Sequence, residues 1–303
     1  MPMPHRKGLQ NKNRDFLAKR IFNMQILLRF FPETPVRLDF SYYSKLAAAF
    51  YQVIALADPD FADDLHGGQG FRNRIKLFGF SPLHSRKTEI HPENKEQNRT
   101  GGLVFKGICS MAVCSPLPEL MDRLSQGFSK MDELRIGSQI MRVQKGERVP
   151  IPDFREKMIW RLRQPASCVT SWSYKSENRK YYVFPGIPAG NKTCEALLRE
   201  NLIHKWRRLK EIRPDIAKAW LQKEREMEKA SQGLAEKDIH IRILPLGREQ
   251  TFQRKRHQIK KAPVFSWIAP VQVTAPLAIQ RVVWACGLGE MNSMGFGVVE
   301  EVR

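Results

Sequence analysis

Runs of strand-like alternation and longer runs of helical spacing follow one another in this chain in an order that occurs twice, and that order limits the fold more than any figure of composition. Met24 to Phe31 reads MQILLRFF, a buried strand ended by Pro32 and Pro35. An apolar stretch at helical spacing runs from Tyr42 to Ala57. Asp58-Pro59 closes it, because the residue before a proline is pushed out of the helical region. Arg72 to Phe80 (RNRIKLFGF) alternates as a half-buried strand does, and Leu103 to Val113 (LVFKGICSMAV) reads as another strand. Leu117 to Phe128 is helical after Pro116 and Pro118, and Leu134 to Val143 alternates again.

Strand, helix, two strands, helix, strand across residues 21–150 is the ferredoxin-like order, which RRM-type RNA binders share. The second half repeats it. Ala166 to Tyr174 is strand-like, Cys194 to Leu234 is helical with a break at Pro214, and Ile239 to Leu244 and Val264 to Val273 are strands. Pro276 to Ala285 is a helix and Gly297 to Val302 a last strand. The predicted class is therefore α+β, with two tandem ferredoxin-like domains, each an antiparallel sheet with helices on one face. The domains are 21–150 and 151–303, joined near Gly146 to Glu156, where Pro150 and Pro152 lie in a polar stretch. Residues 1–20 read as a basic N-terminal tail. A chain of 303 residues has room for both cores.

Lys and Arg outnumber Asp and Glu by 51 to 31, a net charge of +20, which suits a protein that meets a polyanion. Leu46 to Ala57, the longest apolar stretch, is shorter than the ~20 residues that cross a bilayer, so no membrane partner is predicted. The first twenty residues lack the apolar centre of a secretory signal. Five cysteines without CxxC spacing point to a reducing cytoplasm. The seven histidines form no HExxH or Cys/His zinc pattern, and neither a metal nor another cofactor is predicted.

Ala285 to Val299 reads ACGLGEMNSMGFGVV, with glycines at 287, 289, 295 and 297 between a helix and a strand. Glycine allows positive φ and a close approach of backbone to ligand, so such a loop can turn N–H groups toward a phosphate. Gly287 and Gly289 start a GxGxxG fingerprint, but position 292 is Asn, which disfavours a dinucleotide pocket. Glycine-any-glycine-glutamate followed by Asn292-Ser293-Met294-Gly295-Phe296-Gly297 resembles the C-terminal signature of the CRISPR repeat-RNA endoribonucleases (Cas6) of the RAMP superfamily. The resemblance extends over most of the chain, because that family consists of two ferredoxin-like domains in tandem. It implies that Gly287, Gly289, Asn292, Ser293, Gly295 and Gly297 form a surface facing RNA phosphates, with Phe296 as a core anchor.

Compact archaeal members of that family carry a tyrosine in the first helix, a histidine soon after it and a lysine at the start of the next strand. Tyr51, His66 and Lys76 match. From residue type alone each is equally a helix-core aromatic, a solvated loop histidine or a solvated strand lysine; only the family pattern joins them. Gly67, Gly68 and Gly70 after His66 leave its imidazole on an accessible loop, where it can exchange protons near neutral pH. The resemblance implies His66 as general acid or base, Lys76 as the cation that stabilises charge on the phosphate, and Tyr51 as an orienting or donating group. The long gap between His66 and Lys76 makes Arg72 and Arg74 competitors for the cationic role. The implied reaction needs no metal: the substrate 2′-hydroxyl attacks phosphorus, leaving a 2′,3′-cyclic phosphate and a 5′-hydroxyl.

Two basic runs remain. Arg254 to Lys261 (RKRHQIKK) holds Arg254, Lys255, Arg256, Lys260 and Lys261 with no acid, and reads as a hairpin or loop that enters an RNA groove. Lys205 to Arg213 (KWRRLKEIR) reads as an ordinary amphipathic helix, with Trp206 and Leu209 inward and the charges fanned outward, and receives no role. The implied partner is CRISPR repeat RNA, precursor and processed. CRISPR effector or adaptation proteins and a second copy of the chain are further candidates. A non-catalytic RNA-binding RAMP subunit is the competing reading.

Overall fold

The computed structural model describes residues 24–67, 76–92, 101–173, 180–222, 238–248, 252–259 and 262–302. In the N-terminal half, β1 (Gln25–Phe31) lies between β6 (Cys109–Cys114) and β8 (Gln139–Arg148), with β3 (Gly79–Phe80) outside β6 and β7 (Glu133–Ile136) outside β8. Every pairing is antiparallel. Between them run helices α1 (Tyr43–Ala57), α2 (Pro59–Gly67) and α3 (Pro118–Ser129). In the C-terminal half the order is β12 (His240–Ile243), β15 (Val271–Thr274), β9 (Lys157–Leu162), β16 (Val299–Glu301), again antiparallel throughout. Its helices are α4 (Cys194–Ile212), α5 (Pro214–Gln222) and α6 (Leu277–Cys286). In both sheets the second strand of the motif is at one edge, followed by the third, the first and the fourth. The two halves are thus tandem ferredoxin-like domains.

Burial follows the strand period. Ile26, Leu28 and Phe30 of β1 are buried, while Leu27, Arg29 and Phe31 on the opposite face are partly or well exposed. Three additions sit outside the repeated motif: a small sheet of β2 (Val36–Asp39), β4 (Thr88–His91) and β5 (Gly102–Phe105), a pair β10 (Ser171–Ser173) with β11 (Lys180–Tyr182), and a long hairpin of β13 (Gln253–Ile259) with β14 (Ala262–Ile268).

Three runs read as single strands are divided, and a fourth is displaced from the motif. Leu103 to Val113 breaks at Lys106–Ile108, so that β5 and β6 join different sheets. Leu134 to Val143 is the β7–β8 hairpin, turned at Gly137, whose φ of 64° suits glycine. Val264 to Val273 splits at Ala269-Pro270 into β14 and β15, proline having no N–H for a ladder. Ala166 to Tyr174 reads as the first strand of the second motif; within its described part only Ser171–Ser173 is a strand, paired with β11 outside that sheet, and the motif's first strand is β9, just after the polar link. Within the described part of Arg72 to Phe80 only Gly79–Phe80 is strand, so Lys76 precedes a strand without opening one. Residues 223–237 of the long helical stretch, and the 1–20 tail, lie outside the described residues.

The glycine-rich segment is the joint between the domains. Its Phe296 ring stacks on Tyr43 of α1, with centroids 5.4 Å apart and 11° between planes. Val298 packs with Leu27, Ala112 and Cys114 of the N-terminal sheet. Gln25, buried at the start of β1, donates to the carbonyls of Trp284 (2.8 Å) and Val299 (3.2 Å). Arg213 forms an ion pair with Glu119 across the same boundary.

Candidate active site

Asp58-Pro59 ends α1, as its sequence predicts, and also starts α2. Asp58 acts as N-cap, its Oδ1 accepting from the Phe61 amide at 2.9 Å, and proline takes the first helical position, where its missing N–H is no loss. That amide and the Arg123 guanidinium, 2.7 Å from Oδ2, hold the Asp58 carboxyl below the usual range. α2 then carries His66 in its last turn, on a helix and not on a loop. This corrects the reading of His66 as a loop residue.

α1 and α2 pack on each other across the short linker, and Tyr51 and His66 meet. Their ring centroids are 5.1 Å apart at 72°, edge to face. Lys76 approaches from the segment before β3. Its Nζ donates to the Tyr51 hydroxyl at 2.5 Å and to the His66 carbonyl oxygen at 3.5 Å. Three side chains separated by 15 and 10 positions in sequence therefore share one site. Tyr51 and Lys76 are half-buried and His66 is exposed. Burial pushes the Tyr51 phenol up to about 12, so it stays protonated near neutrality, and burial lowers the Lys76 ammonium. The arrangement presents a proton donor, a partly desolvated cation and an accessible imidazole along one edge. Arg72 and Arg74, the competing cations, lie outside the described residues.

The glycine-rich loop is built differently from an open phosphate cradle. The Gly287 amide donates to Val283 O (2.9 Å), Gly297 to Ser167 O (2.9 Å), Gly295 to Asn292 O (3.3 Å) and Leu288 to Gly297 O (2.8 Å). Asn292 is buried and its Nδ2 ties Leu288 O (3.0 Å) to Phe296 O (3.1 Å). The four glycines have φ between 65° and 95°, and all four are buried. This corrects the sequence expectation: the amides of Gly287, Gly295 and Gly297 are taken up within the protein, by the end of α6, by the loop itself and by Ser167 respectively. Of the six loop residues proposed for RNA, Ser293 is the one not buried.

Lys205 was hidden from the sequence reading. It is 1% exposed, and its Nζ donates to Gly287 O (2.8 Å) and Gly289 O (2.9 Å). Burial lowers its ammonium to about 8, among the thiols of Cys286, Cys168 and Cys114. The signal was periodicity: Leu198, Leu202, Lys205 and Leu209 share one face of α4. A lysine on an apolar stripe is a fixed buried cation here, holding the loop from behind.

On the hairpin, Arg254 and Arg256 are exposed and Lys255 is half-buried, its ammonium lowered by burial. Lys260 and Lys261 fall outside the described residues. On the inner face of β13, His257 Nε2 lies 2.8 Å from Ser266 Oγ and 3.2 Å from Ser167 Oγ, and its ring meets Tyr43 and Phe296 edge-on. Burial and then Lys255 lower it to about 4, so it is neutral near pH 7. Among the described residues no three His, Cys, Asp or Glu side chains gather as metal ligands would, and no helix is long and apolar enough to cross a membrane.

Comparison with known proteins places this architecture. A CRISPR-associated endoribonuclease Cas6 1 from Methanocaldococcus jannaschii is 26% identical over 271 residues, 89% of either chain. A Cas6-related protein from Pyrococcus furiosus superposes with a TM-score of 0.67 at 17% identity, over 92% of this chain and 98% of that one. A RAMP protein that binds different RNA substrates superposes with a TM-score of 0.66 at 17% identity, over 92% and 100%. At those identities the superpositions speak for the fold. Residues 36–146 match the family model for the N-terminal part of CRISPR-associated protein Cas6 and residues 149–301 the model for its C-terminal part. With both halves matched, and the second match alone spanning half of the sequence, the chain belongs to the Cas6 family of CRISPR-associated proteins.

Proposed function

We propose that the chain is an endoribonuclease that cuts CRISPR precursor RNA within its repeats and needs no metal to do so. The observation that carries this reading is the meeting of Tyr51, His66 and Lys76 at one accessible edge. The Methanocaldococcus relative, named an endoribonuclease and alike over nearly the whole chain, supports the same activity.

In this reaction a base takes the proton of the 2′-hydroxyl, O2′ attacks the adjacent phosphorus, and the bond from phosphorus to O5′ breaks as an acid protonates the leaving oxygen. His66, exposed at the end of α2, is the proposed proton-transfer group. Lys76 stabilises the added negative charge on the non-bridging oxygens, an interaction strengthened by its partial burial. Tyr51 holds the Lys76 ammonium in place through the 2.5 Å hydrogen bond and is a protonated phenol able to donate to the phosphate. RNA reaches this edge along the basic surfaces, with Arg254, Lys255 and Arg256 on the hairpin, Lys260 and Lys261 beyond β13, Arg72 and Arg74 before Lys76, and Ser293 on the loop as the proposed contacts. Gly287, Gly289, Asn292, Gly295 and Gly297 shape that loop from within.

A repeat-containing transcript with one 2′-deoxy substitution at the nucleotide 5′ to the cut tests the chemistry. The substituted RNA is expected to bind and stay whole, while the unmodified RNA gives a 2′,3′-cyclic phosphate and a 5′-hydroxyl. Cleavage of the deoxy substrate, or a 5′-phosphate product, would exclude this mechanism. Tight binding of both RNAs with no cleavage of either would favour the RNA-binding subunit.

A further inference from the structure

The outer face of the β13–β14 hairpin carries two arginines laid on aromatic rings. The Arg254 guanidinium lies 4.3 Å from the centre of the Phe184 ring and 5.7 Å from that of Phe252, and those two rings are themselves near parallel at 15°. Arg256, two residues along and so on the same strand face, lies 6.0 Å from the Phe265 ring, its cross-strand partner. Tyr182 of β11 closes on Phe265 edge-on, with ring centres 5.4 Å apart. Both arginines are exposed.

This geometry has a consequence that positive charge alone does not. A guanidinium held over a ring has already lost part of its side-chain entropy, and because Arg254, 4.3 Å from the Phe184 ring, and Arg256, 6.0 Å from the Phe265 ring, are both exposed, part of each remains open to solvent. A planar cation with one covered face and one open face is a platform for a nucleobase, and successive platforms about 7 Å apart follow from the two-residue strand repeat. A paired base in a duplex has its faces covered by neighbouring pairs and cannot use such a platform. The A-form major groove is also too narrow to admit a hairpin of this kind readily. We propose that Arg254 and Arg256, backed by Phe184, Phe252 and Phe265, stack unpaired nucleobases, and that the hairpin therefore selects single-stranded RNA over the groove of a duplex. The inference rests on the proposed RNA contact of this hairpin and adds to it the strandedness that the hairpin reads.

The test compares the affinity of the full-length chain for a single-stranded RNA carrying 2-aminopurine and for a fully paired RNA of the same length, in wild type, Arg254→Lys, Phe184→Leu and the double variant Arg254→Ala/Arg256→Ala. Arg254→Lys keeps the charge and removes the plane. It is expected to weaken single-strand binding about five-fold or more, with duplex binding changed less than two-fold, since a stacked base contributes on the order of 1–3 kcal/mol. Phe184→Leu, checked for an unchanged unfolding midpoint, is expected to do the same in smaller measure. The 2-aminopurine emission, raised on wild type as the base leaves its stack with neighbouring bases, is expected to rise less on both. Equal binding of single strand by Arg254→Lys and wild type would overturn the stacking, as would equal loss on both RNAs. If instead the double alanine variant binds every RNA as wild type does, the hairpin makes no RNA contact and the reading beneath the proposal fails.

Discussion

At the scale of single residues, the account turns on groups whose environment differs from what their type suggests. Tyr51→Phe removes one oxygen, and with it the acceptor 2.5 Å from Lys76 Nζ. Cleavage is expected to fall roughly ten- to a hundred-fold in single-turnover assays with RNA affinity within two-fold, as for a group acting on transition-state charge. Lys205 makes a different prediction. Its folded pKa of about 8 lies below its ordinary 10.5, so between those values the unfolded chain holds a proton that the folded chain has released. Stability from this group therefore rises with pH across that window, by up to ~1.4 kcal/mol per unit. In urea unfolding at pH 7 and pH 10, the gap between wild type and Lys205→Met is expected to move toward wild type at the higher pH. A gap that is constant with pH would mean that the buried amine stays charged. Nothing in residue type announced this lysine; only its place on the Leu198–Leu202–Leu209 stripe did.

At the scale of elements, long regular segments were legible and junctions were not. Both domain helices with proline-marked ends, Tyr43–Ala57 and Pro118–Ser129, lie within a residue of where apolar spacing sets them. Asp58-Pro59 shows why the rest was harder. The same dipeptide stops one helix and caps the next, and a reading that uses it only as a stop leaves His66 on a loop. Alternating runs hid turns for a similar reason, since Lys106-Gly107-Ile108 and Ala269-Pro270 continue the polarity pattern while the chain changes sheet. Asp58→Ala tests the helix's part in the site. Loss of the cap and of the Arg123 partner is expected to lower the unfolding midpoint by about a few degrees. It is also expected to slow cleavage more than it weakens RNA binding, because α2 ends at His66.

At the scale of the whole molecule, the duplicated order was readable because each half repeats a similar succession of periods, although the second motif's first strand, Lys157–Leu162, was missed for Ala166 to Tyr174, and the Cas6 family matches both halves. The meeting of Tyr51, His66 and Lys76 was readable only through a family pattern, since no local rule brings together residues 15 and 10 positions apart. The glycine-rich loop kept its diagnostic value and changed its mechanical one. Its glycines let backbone pack on backbone where the domains join, and a Cβ on Gly297 would overlap the Leu288 carbonyl oxygen at a φ of 71°. Gly297→Ala is accordingly expected to lower the unfolding midpoint sharply, by strain of ~1–3 kcal/mol and the added clash, with RNA binding lost in proportion to folded protein. The central claim, that the chain cuts RNA with its own side chains, is tested most directly by single-turnover cleavage of a repeat-containing transcript in EDTA by wild type and His66→Ala. Wild type is expected to cut in the chelator, and His66→Ala to bind the transcript within about two-fold while cutting about 10²-fold or more slowly; equal rates in the two proteins, or a wild type silenced by EDTA, would contradict the account.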